Sequence, residues 1–107
     1  MNLFDDIPES STEELFTELL HTKGVRIERI VSYGQRSEEG FWYDQEEGEW
    51  IVVLEDTATI EYESGEVVDL KAGDHQHIAP HCRHRVAETD KNERTVWLAI
   101  FYQNEQN

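Results

Sequence analysis

Apolar positions divide the chain at Gly24 into two regimes. Before it, Leu15, Phe16, Leu19 and Leu20 recur at one-turn spacing, which suits a helix with a single apolar face. Ser11 stands three residues ahead of Glu14. Its hydroxyl is expected to cap the Glu14 N–H while the Glu14 side chain reaches back. A short helix to about Leu20 is therefore predicted, with Gly24 as its stop.

After Gly24 the period becomes two. Val25, Ile27 and Val31 alternate with Arg26 and Glu28, and a polar loop runs from Gly34 to Gly40. Further strands are predicted at 41–45, 49–55, 57–63, 67–70, 75–79, 85–88 and 94–102. The turns between them include Glu63–Glu66, Lys71–Asp74 and Thr89–Glu93. Many short strands at close spacing describe an all-β antiparallel sandwich or barrel. Residues 1–24 are thus read as a helical segment packed on a barrel of residues 25–107.

Four of the five histidines fall within the ten residues from His75 to His84. Such a concentration is either a metal site or a titrating cluster. His75 and His77 share one strand face, and if Ile78 points inward with Gln76 they point outward. His81 lies in the bend after Pro80, and Cys82 is either a soft ligand or a small buried residue. His21 is expected to meet the carbonyls at the predicted helix end.

The stretch Gly73-Asp-His-Gln-His-Ile-Ala-Pro-His-Cys-Arg-His84 resembles the second motif of the small cupins. Gly73 and His84 fall in register with that motif. Ala79 takes its proline position, His81 its second glycine and Glu88 its asparagine. In the first motif, Glu49 and the strand Trp50–Leu54 match, while Asp56 stands where glycine is usual. The two histidines of that motif are replaced by Tyr43 and Gln45, or by Trp42 and Asp44 with the longer spacing.

The resemblance implies a double-stranded β-helix, an RmlC-like jelly-roll barrel with a small-molecule pocket. It also implies a divalent metal, Zn, Mn, Fe or Ni, held by Gln45, Glu49 and His84 with His81 in reserve. Chemistry there would be metal-assisted, with Tyr43 donating a proton. The alternative is a non-catalytic ligand-binding or sensing module that has lost the metal site. No Gly-x-Ser-x-Gly signature points to a nucleophilic hydrolase.

Composition narrows the partners. The chain has 107 residues, the size of one domain, and dimerisation would help cover its apolar surface. Its 24 acidic and 9 basic residues give a net charge of -15, which repels nucleic acid and anionic membranes. A lone cysteine and an N-terminus without a basic, apolar leader read as a cytoplasmic protein. A homodimer binding a small-molecule ligand is expected.

Overall fold

The computed structural model describes residues 1–103, which form eight strands and no helix. They are β1 (Leu15–His21), β2 (Val25–Ser32), β3 (Gly48–Glu55), β4 (Thr57–Tyr62), β5 (Val67–Lys71), β6 (His75–Ile78), β7 (His84–Thr89) and β8 (Thr95–Tyr102). One sheet has the order β1-β2-β8-β3-β6 and the other β5-β4-β7. Every pairing is antiparallel. The all-β expectation holds.

The N-terminal helix does not form. Residues 15–21 are instead strand β1, paired with β2, and a bulge between Glu18 and Leu20 shifts their register. Leu15 pairs with Val31 and Leu20 with Ile27, so the extra residue brings two leucines an odd number of positions apart onto one face. A bulged strand therefore carries the spacing of a helical stripe. The exposed edge of β2 supplies ladder hydrogen bonds that an isolated short helix could not match in water. Ser11 Oγ accepts from Glu13 N at 3.0 Å, closing a local turn, and the Glu14 carboxylate accepts from the Ser32 hydroxyl.

The segment 41–45 is not a strand either; only Tyr43 bridges to His84. The preceding loop follows the β7 edge, where Ser37 N donates to Val86 O at 2.8 Å and Thr89 Oγ1 to Gln35 O at 2.6 Å. Irregular backbone thus satisfies the edge of the smaller sheet.

Ile51, Val53, Ile60, Ile78, Trp97 and Ala99 pack between the sheets. On the other face of the larger sheet, Arg29 donates to the carbonyls of Leu3 and Asp5 at 3.0 and 2.7 Å. Tyr33 Oη bonds Pro8 O at 2.6 Å. These contacts hold the N-terminal segment against the outside of the sandwich.

Three tight turns place the site. Gly73 has φ +92° in the turn closed by Asp74 N to Lys71 O, a conformation that favours glycine. Asp56 and His81 take φ +66° and +58°. Both occupy positions where the resembling family has glycine, so the left-handed backbone persists although the residue has changed. Among the described residues, no helix is long and apolar enough to cross a membrane.

Candidate functional site

The larger sheet outreaches the smaller one, and an apolar cavity of about 120 Å³ opens between them. Strand alternation decides what lines it. On β3, Glu49, Ile51 and Val53 point inward, and Glu49 is only 9 % exposed. On β7, His84 lies opposite Tyr62 and is 4 % exposed. These two polar side chains meet, with His84 Nε2 at 3.5 Å from Glu49 Oε1.

Each member of the pair is held from behind. His84 Nδ1 lies 2.8 Å from the Cys82 carbonyl, which can only accept, so Nδ1 carries hydrogen and Nε2 faces Glu49. Gln45 Nε2 donates to Glu49 Oε1 at 3.0 Å. Gln45 is anchored in turn, because its own carbonyl accepts from His81 N at 2.8 Å. The Tyr43 ring stacks on His84 with centroids 5.4 Å apart and planes at 25°. Reciprocal backbone bonds of 2.7 and 3.2 Å fix that stacking.

These contacts set the protonation states. Burial opposes charge on His84, but the Glu49 hydrogen bond, the Cys82 carbonyl and the Glu49 charge together outweigh it and raise the imidazole above its ordinary value. Burial also pushes the Tyr43 phenol up, aided by the charges of Glu14 and Glu49. Tyr43 is therefore a proton-bearing donor at neutral pH, and His84 holds its second proton to higher pH than an ordinary imidazole.

Of the residues singled out in the sequence, Tyr43, Gln45, Glu49 and His84 all line the cavity. His81 does not. Its ring is exposed and pairs with Asp44 at 2.8 Å, because the positive φ turns the side chain out of the bend. His75 and His77 are exposed on the outer face, the first tilted against Trp50 and the second stacked on Tyr102. His21 lies at an exposed strand end beside Glu18 at 3.4 Å, so it meets no helix carbonyls.

The cavity also holds residues that pattern reading passed over: Glu14, Phe16, Glu28, Trp97 and Phe101. Glu28 shares the inward parity of Ile30, whereas the apolar alternation Val25, Ile27, Val31 marks the opposite face. That parity was the available signal for Glu28. Glu14 and Phe16 enter the site only because β1 pairs with β2.

A divalent ion would meet a mixed donor set here. Glu49 and His84 are strong donors close enough to share one, and the Gln45 amide is a weaker third. Among the described residues, no three His, Cys, Asp or Glu side chains converge on one point. The set therefore suits a weakly held ion rather than a tightly bound resident one.

Residues 30–101 match the Cupin domain family. A crystal structure of a candidate mannose-6-phosphate isomerase from Ralstonia eutropha JMP134 is 47% identical and covers 97% of each chain, with a TM-score of 0.93. A cupin superfamily protein from Desulfitobacterium hafniense DCB-2 is 19% identical over 92% of this chain and 84% of that one, with a TM-score of 0.77. An RmlC-like cupin from Desulfovibrio desulfuricans is 16% identical over 94% and 93%, with a TM-score of 0.72. The latter two share the fold. No curated protein matches the chain. With its jelly-roll sheets, its match across most of the sandwich and a near relative at 47% identity, this chain belongs to the cupin family.

Proposed function

We propose that the cavity binds a small molecule, gripped at its polar end by Glu49 and His84 with Tyr43 and Gln45 beside them. The buried pair at 3.5 Å, facing a cavity with mostly apolar walls, carries this reading. Two ionisable groups so deep in a sandwich are costly to fold, and a ligand that hydrogen-bonds to them supplies a reason for them. Tyr43 carries its phenolic proton and His84 keeps its own to higher pH than an ordinary imidazole, so the site offers donors to a ligand oxygen or nitrogen.

A divalent ion is an optional part of this proposal. Glu49 and His84 Nε2 would hold it, with the Gln45 amide oxygen after rotation, and it would supply Lewis acidity. It must displace the Nε2 proton, so its binding should strengthen as pH rises. Stabilisation should reach about 2.7 kcal/mol at a free metal concentration a hundredfold above Kd. The test is thermal unfolding with Zn, Mn, Fe or Ni, in the wild type and His84→Ala. A shift in the wild type that His84→Ala abolishes supports the metal site. A shift that survives His84→Ala places the ion elsewhere.

The second reading, a binding or sensing module without metal, is favoured by the absence of a third strong donor among the described residues. Absence of any shift with all four ions would select it. A homodimer belongs to either reading: β1 is a sheet edge, and Leu19 and Leu20 on it are 41% and 46% exposed. The free thiol of Cys82 suits a cytoplasmic setting.

A further inference from the structure

The charges lining the cavity narrow the ligand class, an inference that rests on the binding reading above. Among the described residues lining it, Glu14, Glu28 and Glu49 are carboxylates, and none is lysine or arginine. Two of the three are already compensated. Glu28 pairs with Arg26, which also bonds Glu47 at 2.8 Å, and Glu49 faces His84. Glu14 is different: it accepts from the Ser32 hydroxyl, and among the described residues it has no ion-pair partner.

Aromatic side chains line the same cavity as this uncompensated charge. Phe16, 59% exposed, lies on β1 two residues after Glu14, and Tyr43, Trp97 and Phe101 line the cavity with it. The Arg26 guanidinium already rests 4.0 Å from the Phe101 ring centre, so the wall accommodates cation–π contact. The field of Glu14 also reaches across the cavity, since it is one of the charges that raise the Tyr43 phenol.

We propose that this pocket takes a compact organic cation, an amine whose charged head lies at Glu14 between aromatic rings and whose apolar body fills the cavity. The volume agrees. A cavity of about 120 Å³ is on the scale of a single six-membered ring, because a protein cavity of roughly 150 Å³ holds benzene. A phosphorylated sugar is larger, and its phosphate would face Glu14, Glu28 and Glu49, while Arg26 at the wall is already engaged by Glu28 and Glu47 and His84 by Glu49. The isomerase description of the Ralstonia relative therefore does not extend to a sugar phosphate held in this pocket.

Three probes test the proposal: cyclohexylamine, cyclohexanol and mannose 6-phosphate, titrated against the full chain while the Trp97 indole N–H is followed by NMR. The amine should bind about tenfold more tightly than the alcohol, the phosphate should not bind, and Glu14→Gln should bring amine and alcohol close to parity. Raising the salt concentration should shrink the amine's advantage if Glu14 remains accessible to solvent. The Gln side chain can still accept from Ser32, which protects the fold.

Equal binding of amine and alcohol in the wild type, or tighter binding of the phosphate, overturns the cation proposal and leaves the pocket reading intact. An amine preference that survives Glu14→Gln also overturns it, by placing the charge elsewhere. If none of the three perturbs Trp97, both this inference and the pocket reading fall.

Discussion

Glu49→Gln isolates the buried pair with almost no change of shape. At 3.5 Å and an effective dielectric of about 20, the bare attraction between His84 and Glu49 is on the order of 5 kcal/mol. Desolvation of both groups opposes most of it. Hydrogen bonds to charged groups contribute about 1.5–3 kcal/mol net, and 3.5 Å is long for one, so about 2 kcal/mol is expected. The sign depends on pH. His84 has a raised folded value, so its contribution is complete below the unfolded imidazole value of about 6.5 and is lost as pH rises through the folded value.

Urea denaturation should therefore show Glu49→Gln less stable by about 2 kcal/mol near pH 5.5, with an unchanged m-value. At a pH above its folded value the imidazole is neutral, and the wild type buries a carboxylate beside only the Gln45 amide. The difference should then vanish or reverse, because the glutamine removes a buried charge. NMR titration should find His84 raised in the wild type and lowered in the variant, where burial acts without Glu49. Equal losses at both pH values, or a wild-type His84 titrating below an ordinary imidazole, would refute the reasoning.

Other regions give independent tests. A Cβ on Gly48 would come within 2.0 Å of the Tyr102 ring, so Gly48→Ala should cost about 1–3 kcal/mol in urea, and Tyr102→Ala in the same chain should recover part of the loss. Burial, with Asp90, Glu93 and Glu55 nearby, raises the Asp56 carboxyl to about 6, so the folded state loses stability as pH rises from the ordinary carboxylate range through that value. Asp56→Asn retains a residue that tolerates positive φ and removes the repulsion. After screening it should add about 1 kcal/mol at pH 8 and little at pH 4, read by thermal unfolding. Sedimentation at micromolar concentration should show a dimer that Leu20→Lys weakens; a strictly monomeric wild type would count against the β1 edge as its interface.

Much of the frame was present in short-range signals. Gly73-Asp74 is a turn because the left-handed backbone and the Asp74 contacts to Lys71 are local, and the strands after it follow from period-two alternation. Glu49 and His84 stand out by their register with the two cupin motifs, not by local periodicity. Long-range pairing decided the rest. Leu15 to Leu20 have helical spacing, yet the free edge of β2 and one bulge made them a strand, and only that strand brings Glu14 and Phe16 to the cavity. Tyr43 stacks on His84 through a bridge between segments some forty residues apart, which no local pattern records. The sequence by itself determined the turns and the alternation, because these depend on neighbours along the chain, and the motif resemblance added Glu49 and His84. The tertiary structure alone decided which face of β2 looks inward, where His81 points and which charge at the cavity lacks a partner, because those depend on what packs against each strand.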